Sequence, residues 1–336
     1  MSGSISDYSA PKVSVIMPVY NTERYVERAM ISLMDQTLDY VQFIIIDDGS
    51  KDNSLSIIKD VITRYPTRKD QITLISRENR GVAATRAQGM ELATGDYVIH
   101  LDSDDWAELN WLEALYNKAI EDNADVVVCD YSMIFKASVQ LVRQESKSSG
   151  VECIGQLLAG ELHGSTCNKL IRRAIVTNYH IKFNDDICYL EDYIYVMQIF
   201  NYSNRISYLN KTLLNYNCTN TRSITSCMTE QKFHSIVNAI SFIEKFLAEH
   251  EIDTVFQAEL LRLKMSHSAS TTFKFGYRCP KRFIYYYKFK LKDVYSSNQP
   301  LHNKLLLLSS SIKFTQLTRL IIIMFRMAKI IQKLIR

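Results

Sequence analysis

Two apolar runs in this chain end abruptly in carboxylates. Phe43-Ile44-Ile45-Ile46 leads into Asp47-Asp48-Gly49-Ser50, and Tyr97-Val98-Ile99-His100-Leu101 leads into Asp102-Ser103-Asp104-Asp105. Runs that are continuously apolar rather than alternating mark strands buried on both faces of a parallel sheet. In open α/β sheets the C-terminal ends of such strands border the crevice that binds ligands. Carboxylates gathered there repel one another, so they need a cation, a hydroxyl or a base edge. The two clusters together predict a site for a metal ion and a polar, phosphorylated ligand.

The first 130 residues alternate strand and helix signals around these clusters. Strands are expected at Val13–Met17, Phe43–Ile46, Ile72–Ile75, Tyr97–Leu101 and Asp125–Cys129. Helices are expected at Thr22–Gln36, from Ser54 to Tyr65 with Asp52 or Asn53 as cap, at Val82–Leu92, and from near Glu108. This βαβα rhythm implies an α/β fold with a Rossmann-like, doubly wound, mainly parallel sheet. Residues 131–226 lose the rhythm, and Thr229 to Phe275 reads as helical.

At 336 residues the chain exceeds one average domain, and an apolar share of 47% supplies a large core. Seven scattered cysteines without a C-x-x-C pair argue against a disulfide framework or a zinc site. That usage fits a reducing cytosol, and Met1 to Lys12 carries no apolar signal-peptide core. The net charge of +4 hides an asymmetry. Pro280 to Arg336 holds 12 Lys/Arg against one acid, whereas the remaining residues hold 28 basic against 35 acidic side chains. A basic tail on an acidic body points to an anionic surface as partner.

Taken together and in order, the short motifs resemble those of the inverting family-2 glycosyltransferases. They are Pro18-Val19-Tyr20-Asn21, Asp47-Asp48-Gly49-Ser50, Gly81, Arg86, Gly89, Gly95-Asp96 and Asp102-Ser103-Asp104-Asp105. The resemblance continues through Asn168-Lys169-Leu170, Glu191-Asp192-Tyr193 and Tyr216…Ser223-Ile224-Thr225. It implies a GT-A nucleotide-sugar-binding fold with a helical C-terminal extension. It also implies boundaries: a flexible N-terminus over 1–11 and a catalytic domain over 12–226, with a donor half (12–130) and an acceptor half (131–226). A helical extension over 227–300 and basic amphipathic helices over 301–336 follow.

The same resemblance assigns roles. Asp104 ligates Mg2+ or Mn2+, and Asp102 lies near the ribose or the metal's waters. Asp48 accepts a hydrogen bond from the donor's base; an acceptor-only carboxylate suits the N3–H of uracil or thymine, so a UDP-sugar is the favoured donor. Tyr20 stacks on that base, and Pro18 and Val19 place backbone beside it. Arg86 neutralises phosphate or orients an active-site carboxylate. Asp192 is the general base that takes the acceptor hydroxyl's proton, and Glu191 orients either the acceptor or Asp192. Two positions depart from the family pattern. Thr85-Arg86-Ala87-Gln88-Gly89 stands for Ala-Arg-Asn-x-Gly, and Leu190 stands where a Gly usually precedes Glu-Asp. Lys169 reads either as a snorkelling residue at the core's edge or as a substrate contact.

Arg319, Arg326, Lys329, Lys333 and Arg336 recur on one helical face among Leu, Ile and Met, and the longest uncharged run, Leu320–Phe325, is far too short to span a bilayer. The expected enzyme therefore works at the cytosolic face of the cell membrane, bound peripherally to anionic lipid. It extends a glycan or lipid-linked glycan acceptor for a cell-surface polysaccharide. No nucleic-acid partner is expected. Two other readings share parts of the pattern: a nucleotidyltransferase, which lacks a Gly-rich triphosphate loop here, and an RNA-binding module using the basic, aromatic tail.

Overall fold

The apolar runs and helical stripes of the first hundred residues build a parallel half-sheet whose strand ends share one edge. The computed structural model describes residues 10–184, 187–220, 228–275, 289–297, 299–311, 316–318, 320–325 and 327. Strands β1 (Val13–Val19), β2 (Val41–Asp47), β3 (Ile72–Ser76) and β4 (Tyr97–His100) alternate with helices α1 (Val26–Met34), α2 (Ser54–Arg64) and α3 (Val82–Leu92). All three pairings, β1 with β2, β2 with β3 and β1 with β4, are parallel. In register, Val19 lies opposite Asp47, Asp47 opposite Ser76 and Ile16 opposite His100. Both acidic clusters therefore emerge at the same C-terminal edge.

Burial explains the continuous apolar runs. Phe43, Ile44, Ile45, Ile46, Val98 and Ile99 have no solvent exposure, because helices cover both faces. Each such side chain contributes about 1.5–3 kcal/mol relative to an exposed one. Gly89 of α3 is required by this packing: a Cβ there would come within 2.4 Å of the Ile16 side chain on β1. In α2 the N-cap position is held by Asn53 without a side-chain capping bond, and the preceding Asp52 carboxylate accepts the Ser54 N–H at 3.0 Å.

Past β4 the sheet becomes mixed, which the β-rhythm alone did not foretell. The sequence continues through β5 (Trp106–Ala107), α4 (Trp111–Glu121), β6 (Val126–Ile134), β7 (Val139–Val142), α5 (Gly150–Ala159), β8 (Lys169–Arg172), α6 (Arg173–Asn178), α7 (Glu191–Asn201) and β9 (Ile206–Asn217). The order is β3-β2-β1-β4-β8-β6-β9-β5, with β7 added to β6. Strand β8 is antiparallel to β4 and β6, and thus separates the two. The helix expected near Glu108 begins only at Trp111, because Trp106–Ala107 is drawn into pairing with β9 and the Glu108 N–H donates to the Leu213 carbonyl. Helix α1 is shorter than its stripe: Gln36 leaves the helix and its side-chain amide donates to the carbonyls of Ser32 and Glu108.

The chain divides into two compact units, residues 1–157 with 161–221, and residues 158–160 with 222–336. In the second, α8 (Glu230–Glu249) starts at Thr229, whose hydroxyl accepts the Lys232 N–H. The single helical pattern expected over Thr229–Phe275 is two helices, because the chain turns at Glu251 (φ 59°) before α9 (Gln257–Phe275). Helices α10 (Leu291–Ser296) and α11 (Leu301–Ser311) follow. Ile321 and Ile322 pack with Leu306, Phe273, Leu317 and Phe325.

Candidate functional site

Three strand ends, helix α3 and the first turn of α7 supply the expected site residues. At the end of β1, Pro18 and Val19 are buried within the strand and Tyr20 emerges about half exposed. Pro18 lies beyond the last β1–β4 pair, where the ladder no longer needs a donor toward that neighbour. Asp48 follows β2 and is almost wholly buried. Its carboxylate accepts the backbone N–H groups of Arg80 (2.9 Å) and Gly81 (2.8 Å) and the guanidinium of Arg77. Those three donors leave one of roughly four lone-pair positions for a ligand.

Arg77 is a site residue that the motif order did not reveal. It follows β3 directly, and its guanidinium also reaches Gln88 (2.7 Å) and Thr85 (2.9 Å) on α3. The available signal was positional: a charged residue immediately after a parallel strand shares the edge where Asp48 emerges. Gln88 belongs to the stretch that departs from the family pattern, and here it helps hold Arg77.

Arg86 lies at the centre of the ionic arrangement. One of its terminal nitrogens donates to Glu191 (3.0 Å) and Asp192 (2.7 Å), and the other donates to Asp102 (2.8 Å). The structure places Arg86 against three carboxylates. Burial opposes its charge, but Asp192, Asp102 and Glu191 outweigh that and hold its pKa well above the ordinary value. Burial raises the Asp192 carboxyl to about 8, and Glu191 and Asp102 push the same way against Arg86. Beneath the guanidinium, burial and then Arg86 keep His100 neutral, packed edge-on against Phe183 and Tyr195.

The residue before Glu191 explains the second departure from the family pattern. Leu190 caps α7 in the left-handed region, with φ 74° and ψ 17°. A glycine adopts that conformation without penalty, whereas an L-residue loses roughly 1–2 kcal/mol. The chain thus keeps the glycine geometry with a leucine in place. Leu190→Gly is expected to raise the urea midpoint, by up to about 1 kcal/mol after the glycine's unfolded-state entropy is counted. An unchanged or lower midpoint would contradict the strain.

The second acidic cluster is gripped by the end of β9. Asp104 accepts from the Asn220 side-chain amide at 2.8 Å, and Asp105 accepts the Asn217 N–H at 2.8 Å. The remaining Asp105 carboxylate oxygen is buried without a hydrogen-bond partner among the described residues. Burial followed by Asp102 raises the Asp104 pKa; burial followed by Asp104 and Asp102 drives that of Asp105 well above normal. Three crowded carboxylates, with hard oxygen donors and one bond unfilled, fit a divalent cation. Among the described residues no group of three or more His, Cys, Asp or Glu is arranged to hold an ion. The Ser223-Ile224-Thr225 motif lies outside the described residues.

The family model described as Glycosyl transferase family 2 matches residues 14–179. A cholesterol galactosyltransferase of Borreliella burgdorferi is 31% identical over 264 residues, covering 74% of this chain and 68% of that protein. The chain belongs to glycosyltransferase family 2. EpsH of Bacillus subtilis, itself provisionally assigned as a glycosyltransferase, is 28% identical over 269 residues, covering 77% of this chain and 76% of its own length. The structure of S. aureus TarS 1–349 in complex with UDP-GlcNAc superimposes with a TM-score of 0.68 at 20% identity, covering 94% of this chain and 92% of that one. This family-2 glycosyltransferase has the GT-A architecture, a curled, mainly parallel sheet with C-terminal helices. Membership as an enzyme of this family sets aside the nucleotidyltransferase and RNA-module readings.

Proposed function

We propose that this family-2 glycosyltransferase moves a sugar from a UDP-sugar to a hydroxyl of a glycan or lipid-linked glycan, with inversion, in cell-surface polysaccharide synthesis. The observation that carries the reading is the Arg86 bridge, which joins Asp102 of the donor half to Glu191 and Asp192 of the acceptor half. The free lone pair of Asp48 accepts the N3–H of the base, and the exposed Tyr20 ring offers a stacking face. The UDP-GlcNAc complex of TarS supports the choice of nucleotide.

Asp104, with Asp102, would hold Mg2+ or Mn2+. Bound there, such an ion would supply charge neutralisation for the departing diphosphate. Asp192 takes the proton from the acceptor hydroxyl, and the first turn of α7 favours the ionised carboxylate that must be present before the transfer. Glu191 holds Arg86, which keeps Asp192 oriented. The carboxylates stand apart in function, since inversion needs only one base on the face opposite the leaving group. UDP release should be measured from UDP-GlcNAc, UDP-glucose and UDP-galactose with Mn2+, Mg2+ or chelator. Turnover is expected only with a divalent ion, and Asp104→Ala should abolish it. Full turnover in chelator or in that variant would sink the metal assignment.

We also assign the C-terminal helix to an anionic membrane surface. Over 316–327, Leu320, Ile323, Met324 and Met327 are 53%, 43%, 61% and 58% exposed at helical spacing, while Ile321 and Ile322 face inward. The basic residues Arg319, Arg326, Lys329, Lys333 and Arg336, and the aromatic stretch Tyr285–Tyr287, lie outside the described residues. Among the described residues no helix is long and apolar enough to cross a membrane. An exposed apolar row beside a segment carrying 12 Lys/Arg against one acid suits the interface of an anionic bilayer. This reading would have the enzyme work at the cytosolic face of the membrane. Replacing Leu320, Ile323, Met324 and Met327 with Ser should abolish co-sedimentation with phosphatidylglycerol vesicles. Undiminished sedimentation would reject this surface as the contact.

A further inference from the structure

Lys169 is fully buried at the start of β8, and among the described residues it forms no ion pair. All three ammonium protons are used: Nζ donates to the carbonyls of His163 (2.7 Å) and Ser165 (2.8 Å) and to Oδ1 of Asn168 (2.9 Å). It therefore neither snorkels to solvent nor points a free donor at a ligand. A buried ammonium paired only with neutral oxygens is costly and usually sheds its proton tendency. Burial lowers this one to about 8. A methionine or leucine would fill the same space without that cost, so the ammonium's three bonds are the feature to be explained.

Those bonds tie down a single loop. His163 and Ser165 flank Gly164, and the loop is closed further by the Ser165 N–H donating to the His163 ring (3.1 Å) and the Cys167 N–H donating to the Ser165 hydroxyl (3.1 Å). Gly164 is pressed against Tyr193: a Cβ there would meet the Tyr193 ring at 2.7 Å, its Cβ at 2.9 Å and its Cα at 3.0 Å. Tyr193 directly follows Glu191 and Asp192, and all three lie in the first turn of α7. On its other side that turn is held by Arg86. The loop is thus the wall against which the two carboxylates are set.

We propose that Lys169 is a positioning residue for glycosyl transfer: its ammonium fixes the 163–165 loop against Tyr193 and thereby sets Glu191 and Asp192. This rests on the reading of Asp192 as the base. Lys169 touches neither donor nor acceptor. A displacement of about 1 Å at a reacting group costs on the order of a hundredfold in rate, whereas donor binding in the other half of the site stays intact.

The test uses two variants that disturb the loop from opposite ends, Lys169→Met and Gly164→Ala, beside Asp192→Asn. Hydrogen exchange at 161–168 and 191–196, UDP binding by calorimetry with Mn2+, and UDP release from UDP-GlcNAc, UDP-glucose and UDP-galactose are measured on the full chain. In both loop variants exchange should quicken in those two segments, and kcat should fall about tenfold or more with donor KM within about twofold of wild type. If Lys169→Met does not fold, Gly164→Ala decides alone. Wild-type kcat in the folded loop variants beside an inactive Asp192→Asn overturns the positioning role by itself. A raised donor KM with unchanged kcat overturns it too. Wild-type kcat in Asp192→Asn overturns the base assignment, and the positioning role with it.

Discussion

Asp192→Asn is expected to lower the rate of sugar transfer by about 10²–10⁴, the range that a positioned general base contributes. The substitution keeps the shape and a hydrogen-bond acceptor for Arg86, so donor KM should change little. The wild-type pH profile carries a second, independent signature. Burial raises the Asp192 carboxyl to about 8, and only its ionised form can accept a proton. Activity of the free enzyme, read as kcat/KM, should therefore rise from pH 6 to 9 with an apparent pKa of about 8. An ordinary carboxylate would already be ionised across that range and give a flat limb. A flat profile, or an Asn variant as fast as wild type, would remove Asp192 from the role of base.

Arg86→Met is expected to cost about 3–5 kcal/mol of folding stability, the range for breaking a buried charge pair from one side. The guanidinium is buried and contacts Asp102, Glu191 and Asp192. Its removal leaves three carboxylates facing one another without a cation between them. The loss should depend on pH in a definite direction. Arg86 lowers the Asp192 carboxyl against its burial, so removing Arg86 raises that carboxyl further, and its protonation relieves the repulsion as the pH falls. Urea unfolding should thus show a smaller difference from wild type at pH 5 than at pH 8. A difference under about 1 kcal/mol at pH 8 would mean that Arg86 does not neutralise the cluster. Arg86→Lys should recover only part of the loss, because a point charge cannot fork between the two halves.

The donor half was legible in the sequence because its signals are local. Continuous apolar runs ending in Asp47-Asp48 and Asp102–Asp105 identify buried parallel strands, and parallel strands carry their C-terminal ends to one edge. Helix α3 spans Val82–Leu92 as its pattern indicated. The acceptor half was legible only through motif resemblance, since β8 and β9 are placed by pairings far along the chain. Strand β5 shows the reason clearly. Two residues pair with β9 more than a hundred positions away, and nothing in their own sequence distinguishes them from a helix start. The partners of the site residues were equally hidden. Arg77 on Asp48, Asn220 on Asp104 and Asn217 on Asp105 are contacts across elements, with no spacing rule to announce them. Lys169 was read as an edge residue because a lysine is seldom fully buried, and its three carbonyl partners override that preference.

In the proposed mechanism the two strand-end clusters form one site for a nucleoside diphosphate, Asp48 taking the base and Asp104 the metal-bound diphosphate. Calorimetric titration of UDP into wild type, Asp48→Ala and Asp104→Ala, each with Mn2+ and with chelator, tests it directly. The expected result is binding by wild type that weakens strongly in chelator, with Asp48→Ala weakened under both conditions and Asp104→Ala insensitive to Mn2+. Equal UDP affinity in all three proteins, with or without the metal, would contradict it.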